Sequence, residues 1–63
     1  MDGIVNWYDE RQGRGFVTGS DGTDVFVYQS ALDFLTILHS GDHIEYEVVM
    51  TEKGLQAKQV KVL

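Results

Sequence analysis

Arg14, Phe16, Phe26 and Tyr28 are the side chains of this sequence best suited to hold another molecule, and they fall at alternate positions in two short stretches. The stretches are Gln12-Gly13-Arg14-Gly15-Phe16-Val17 and Asp24-Val25-Phe26-Val27-Tyr28. Successive side chains of a β-strand point to opposite faces, so Arg14 shares a face with Phe16, and Phe26 with Tyr28. Val17, Val25 and Val27 then point the other way, into a core. Paired antiparallel through the turn Gly19-Ser20-Asp21-Gly22-Thr23, the strands display two phenyl rings, a phenol and a guanidinium on one surface. A flat aromatic and cationic surface of this kind suits stacked nucleobases. Gly13 and Gly15 flank Arg14 without side chains, which would let a flat ligand approach the backbone there.

The rest of the chain must hold this surface flat. Gly3-Ile4-Val5-Asn6-Trp7-Tyr8 is rich in β-branched and aromatic residues and reads as strand one. Alternation slips at Trp7-Tyr8, which predicts a strong twist or a bulge that leaves both rings partly exposed; burial of Trp7 in the core is the alternative. Asp9-Glu10-Arg11-Gln12 reads as a polar turn into strand two, Arg14 to Thr18, and strand three is Asp24 to Tyr28. Ser30-Ala31-Leu32 suits a brief helical turn, with Ser30 as its cap and Leu32 buried. Residues 33–40 are unusually apolar for a loop: Leu32, Leu35, Ile37 and Leu38 are placed to close the bottom of a barrel, with Phe34 exposed as an extra stacking ring. A short helix is the alternative there. Gly41-Asp42 marks a turn. From Asp42 to Met50, Ile44, Tyr46 and Val48 alternate with His43, Glu45 and Glu47, as in a half-buried fourth strand. Thr51-Glu52-Lys53-Gly54 reads as a hairpin turn with Gly54 at positive φ. Leu55 to Val62 is then strand five, with Val60 and Val62 facing one way and Lys61 the other. Five short strands without a long helix predict an all-β fold, most economically a closed barrel with no free edge.

Composition narrows the function. Sixty-three residues hold one domain at most, spanning 1–63. Such a chain buries only about 60% of the surface its unfolded form exposes. Cysteine is absent, which excludes disulfides and thiolate zinc sites. No apolar run approaches the roughly 20 residues that span a bilayer, and no signal-peptide pattern opens the chain. The expectation is a soluble cytoplasmic protein, monomeric as a small closed barrel, with no membrane partner. A net charge of −5 opposes polyanion binding, which is driven largely by phosphate neutralisation. The five cations nevertheless fall in two short stretches, Arg11 and Arg14 in one and Lys53, Lys58 and Lys61 in the other, with no acid from 53 to 63. That distribution predicts a local basic rim on an acidic body, with few phosphate contacts and more reliance on stacking; ordinary solvated surface cations are the alternative.

No catalytic, metal or cofactor constellation is legible. His39 and His43 are separated by Ser40-Gly41-Asp42, so no helix aligns them as a zinc pair. Ser30 has no positioned base, Asp21 and Asp24 lack the rest of a calcium loop, and the Gly13-x-Gly15 pair lies inside a strand rather than in a phosphate loop.

The motifs taken together resemble the cold-shock domain, the five-stranded oligonucleotide/oligosaccharide-binding (OB) barrel of bacterial cold-shock proteins and eukaryotic Y-box proteins. The resemblance runs from Gly3 to about Val60. Gly3-Ile4-Val5-Asn6-Trp7-Tyr8 is similar to the family's Gly-x-Val-Lys-Trp-Phe opening. Gln12 to Val17 is similar to its first ribonucleoprotein motif, Lys-Gly-Phe-Gly-Phe-Ile, and Asp24 to Leu32 to its second, Asp-Val-Phe-Val-His-Phe-Ser-Ala-Ile. Lys53-Gly54-Leu55-Gln56-Ala57 is similar to its final turn, with Leu55 in place of proline. The resemblance implies a five-stranded antiparallel OB barrel and a non-enzymatic module for single-stranded RNA or DNA, acting as an RNA chaperone or cold-shock-type regulator on pyrimidine-rich strands. It implies stacking on Trp7, Phe16, Phe26 and Tyr28, assisted by Tyr8, Arg14 and Phe34. Arg11, Lys53 and Lys58 would meet phosphates, and Asn6, Gln12 and Gln29 would read base edges. Several positions depart from the family: Asn6 and Gln12 replace lysines, Arg14 and Gln29 replace aromatics, Tyr28 replaces histidine, and the 33–40 loop is shorter than in most members. Losing two lysines removes about two phosphate contacts, whereas Arg14 still stacks on a base and adds a charge. Retained but weaker binding follows. The alternative is an acidic OB barrel whose exposed aromatics form a protein interface and whose nucleic-acid binding is reduced or lost.

Overall fold

The structure, a computed structural model, describes all 63 residues. Five strands, β1 (Asp2–Asp9), β2 (Arg14–Gly19), β3 (Asp24–Tyr28), β4 (His43–Thr51) and β5 (Gly54–Val62), close into a barrel in the order β1-β2-β3-β5-β4. Neighbours pair antiparallel except at one seam, where β3 meets β5 in parallel at Phe26 and Gln56. The all-β barrel is as expected; the parallel seam departs from a wholly antiparallel sheet. Closure brings together strands that are not sequence neighbours, and their relative direction follows from the path of the intervening chain rather than from a turn. No helix is long and apolar enough to cross a membrane.

Valines make the core because strands β1, β2 and β3 each present them on one face. Val5, Val17, Val25 and Val27 are no more than 1% exposed, and Ile44, Tyr46, Ala57, Val60 and Leu38 complete the cluster. Each such aliphatic burial is worth about 1.5–3 kcal/mol. Inward positions next to the valines carry glycine where strands approach too closely for a side chain. A Cβ on Gly15 would lie 2.5 Å from the Trp7 carbonyl oxygen. One on Gly13, held at a φ of +68°, would lie 2.8 Å from Gln29 Oε1. Both glycines are buried and filled against by protein, so the backbone beside Arg14 is not open to a flat ligand; its glycines let β1 and the end of β3 close on β2.

Two bulges break the alternation. Val5 pairs with Val17 but Trp7 with Phe16, so Asn6 is an extra residue in β1. The slip expected at Trp7-Tyr8 therefore begins one residue earlier. In β5, Glu45 pairs with Lys61 but Glu47 with Lys58, which leaves an extra residue where Gln59 takes a φ of 53°. This bulge turns Ala57 and Val60, three apart, both inward. Val62, expected to face with Val60, is 48% exposed instead.

The connection from β3 to β4 corrects three expectations. A single 3-10 turn, Gln29–Ala31, follows β3, but no side chain caps it and Ser30 lies inside it rather than before it. Leu38 is buried and Leu32 half-buried, as barrel closure requires, yet Leu35 and Ile37 are exposed. The cause is local. Asp33 Oδ1 accepts hydrogen bonds from Leu35 N at 3.1 Å and Thr36 Oγ1 at 3.0 Å, and the Asp33 carbonyl accepts from Thr36 N. This tight turn throws Phe34, Leu35 and Ile37 outward before the chain re-enters at Leu38. The hairpin between β4 and β5 forms as expected, with Gly54 at a φ of 107° and Thr51 Oγ1 donating to the Gly54 carbonyl.

Tyr46 is buried beneath Gly3 and Gly19, and its hydroxyl has no hydrogen-bond partner. Burial, and then the negative fields of Asp21 and Asp2, push its phenol above the ordinary tyrosine value. A raised folded-state value means that full stability is present below the unfolded tyrosine pKa of about 10 and is lost as pH rises through the folded value. Tyr46→Phe is expected to leave stability at pH 7 unchanged or raise it by up to about 1 kcal/mol, because an unmatched buried hydroxyl is removed. It should also blunt the alkaline loss. Urea unfolding at pH 7 and above pH 10 checks both; destabilisation by more than about 1 kcal/mol at pH 7 would show that the hydroxyl is bonded after all.

Candidate nucleic-acid interface

The inward valines force the intervening residues outward, and on β1, β2 and β3 those residues include Trp7, Phe16, Phe26 and Tyr28. Phe16 stands opposite Phe26 and Arg14 opposite Tyr28 in the β2–β3 ladder, while Trp7 stands opposite Phe16 in β1–β2. The Phe16 and Phe26 rings meet edge to face, with centroids 5.5 Å apart and planes at 70°. Phe26 and Tyr28 are 6.5 Å apart and tilted by 34°. Edge-to-face packing satisfies the ring quadrupoles within the sheet and leaves ring faces for a ligand. Trp7 is 46% and Phe26 39% exposed, with Phe16 and Tyr28 half-buried. The Asn6 bulge sets the outward exposure of Trp7; a regular strand would reverse every side chain beyond it. The core alternative for Trp7 is thereby excluded.

The other expected residues are distributed around this platform. Lys53, carried by the β4–β5 hairpin, places Nζ 6.0 Å from the Tyr28 ring centroid. Arg11 and Gln12 are exposed in the turn before β2, where their backbone N–H groups donate to Asp9 Oδ1. Gln29 N donates to the Gly13 carbonyl at 2.7 Å, fastening this turn to the end of β3. Asn6 is partly engaged: its Nδ2 donates to Thr18 Oγ1 at 2.7 Å, and Thr18 Oγ1 donates to Asp24 Oδ1 at 3.1 Å, a polar rail across three strands. Tyr8 is half-buried and packs against the core, with its phenol pushed up by burial and then by the charge of Glu10. Phe34 is 94% exposed on the 33–40 loop.

The expected basic rim is divided. Lys58 and Lys61 stand on β5 in register with Glu47 and Glu45 of β4, and neither lysine forms a salt bridge. Arg11, Arg14 and Lys53 remain beside the platform. His43 Nε2 meets Asp2 Oδ2 at 2.7 Å, and His39 faces a different acid, Asp42, at 3.6 Å. The pairing with His43 holds the Asp2 carboxyl below its ordinary range.

Two features border the platform that sequence reading did not single out. Gln56 lies beside Phe26 through the parallel seam and donates from Nε2 to Thr51 Oγ1. A pocket of about 330 Å³ opens between the β1–β2 turn and the 33–40 loop, lined in part by Tyr8, Glu10, Gln29, Asp33 and Phe34. Neither follows from alternation, since each joins segments distant in the chain.

The family model described as the 'Cold-shock' DNA-binding domain matches residues 1–63. The chain belongs to the cold-shock domain family. It is 42% identical to a cold shock-like protein of Thermotoga maritima over 65 residues, covering 100% of this chain and 98% of that one. It is 40% identical to cold shock protein 2 of Lactiplantibacillus plantarum over 62 residues, covering 95% and 94%. Among solved structures it is similar to drosophila Unr CSD456, with a TM-score of 0.77 and 26% identity over 98% of this chain and 26% of that one. The cold-shock family is a family of nucleic-acid-binding proteins, and its OB barrel is the fold found here.

The exposure of Trp7 in this cold-shock protein has a direct optical consequence. Acrylamide is expected to quench Trp7 emission readily in the folded, ligand-free protein. Emission that is shifted to the blue and resists the quencher would place the ring in the core.

Proposed function

We propose that this cold-shock protein binds single-stranded RNA or DNA chiefly by base stacking. The observation that carries the reading is the continuity of Trp7, Phe16, Phe26 and Tyr28 across three adjacent strands on one outward face. Successive bases stack on these rings at about 1–3 kcal/mol each. Tyr8 and Phe34 extend the surface toward the loop, and Arg14 covers a base while countering its phosphate. Arg11 and Lys53 meet phosphates, and Lys58 contributes weakly because Glu47 stands opposite it. Asn6, Gln12 and Gln29 offer amide groups to base edges. Pyrimidine-rich strands fit best, because small bases leave the backbone free to follow the barrel. Holding RNA single-stranded in the cytoplasm, as a monomeric chaperone influencing transcription or translation, is the role this mode of binding supports.

The exposed apolar residues Phe34, Leu35 and Ile37, on a chain of net charge −5, favour a second reading as a protein-interaction barrel. Titration separates the two. With a pyrimidine-rich oligonucleotide, Trp7 fluorescence is expected to quench saturably. The logarithm of affinity should fall with the logarithm of salt at a slope of about −2, as about three single-strand phosphate contacts give. Phe26→Ala should weaken binding roughly 5- to 150-fold with the fold retained. No quenching of the folded protein at low salt, together with dimers in solution, would decide for the protein interface.

A further inference from the structure

The pocket beside the platform differs from it in charge. It is lined by the acids Glu10 and Asp33, by Tyr8, Gln29 and Phe34, and by Leu32, Thr36 and Ile37, with no lysine or arginine among them. Two carboxylates there would repel a phosphate, so a strand laid across the platform would present a base to this pocket rather than its backbone. Asp33 is held in place. Its Oδ1 accepts from Leu35 N and Thr36 Oγ1, while Oδ2 has no protein partner. Glu10 likewise makes no hydrogen bond or ion pair within the protein, and Tyr8, whose phenol is raised by burial and then by the charge of Glu10, lies beside it. Ionised carboxylates are acceptors only. They reward a ligand edge that carries N–H donors and penalise one that carries carbonyl oxygens.

From this arrangement we infer that the pocket is a base-selective subsite for an amino-bearing nucleobase, in preference to uracil or thymine. The inference rests on the platform reading given above. Guanine is matched best, because its adjacent ring N–H and amino group donate side by side to one carboxylate. Cytosine and adenine offer an amino group each. Uracil and thymine turn a carbonyl oxygen toward the carboxylates on either side of their single ring N–H. At about 330 Å³ the pocket has room for a purine, and the fully exposed Phe34 ring is available to stack on the entering base. The strand on the platform stays pyrimidine-rich, with one position set apart.

The test is a positional scan. Short oligouridylates carrying a single G, C or A at successive positions are titrated against the protein and against a Glu10→Gln/Asp33→Asn double variant. Asparagine at 33 keeps the acceptor that holds the loop turn. The expected result is one position at which G binds on the order of tenfold tighter than U, with C and A between them. That preference should collapse in the double variant while affinity for oligouridylate itself is unchanged or higher. Equal affinity for all bases at every position, with oligouridylate still bound, overturns the subsite and leaves the platform standing. A preference that survives the double variant also overturns it, because selectivity then comes from elsewhere. Failure to bind any strand overturns the platform reading and the subsite with it, and oligouridylate alone reveals that case.

Discussion

Closure of the barrel over a layer of valines is the constraint on which the rest depends. Val5, Val17, Val25 and Val27 are almost wholly withdrawn from water, and in a chain of this size few other groups supply comparable stabilisation. Once those positions are fixed inward, the period of two along a strand fixes their neighbours outward. The aromatic platform is the outer face of the same strands that make the core, so it is as rigid as the core behind it. Small perturbations of strand packing, such as a Cβ at Gly15 against the Trp7 carbonyl, would misplace rings on the opposite face.

The electrostatics are arranged by region rather than by total. The protein is acidic, yet Arg11, Arg14 and Lys53 stand beside the rings, while Lys58 and Lys61 face acids across the β4–β5 ladder. Stacking scarcely depends on salt, whereas phosphate contacts do. The acids Glu10 and Asp33 belong to the same regional arrangement, since they line a pocket beside the platform that holds no lysine or arginine.

The Asn6 bulge shows how one residue links fold and site. It re-aims β1 after Val5, leaves Trp7 on the outer face opposite Phe16, and ties its own side chain through Thr18 to Asp24. The bulge at Gln59 has the complementary effect on the core, keeping both Ala57 and Val60 inside although their spacing forbids it in a regular strand. Bulges of this kind let a short closed barrel turn its corners.

The platform and its core were legible in the residues themselves. Phe16, Phe26 and Tyr28 alternate with valines in two stretches joined by a short turn, and a short turn leaves only one register. The period of two then assigns every face. Hydrophobicity alone misread Leu35 and Ile37, because it records a preference for burial and not the Asp33 turn that carries those residues outward. Sequence likewise could not show the parallel β3–β5 seam, the bulge at Gln59, the register that sets Lys58 opposite Glu47, or the pocket lined by Glu10 and Asp33. Each depends on where segments distant in the chain come to lie. Local alternation and short turns determined which platform side chains face out together and meet; only closure of the barrel decided what lies beside them, because β5 and the 33–40 loop are brought in from distant parts of the chain.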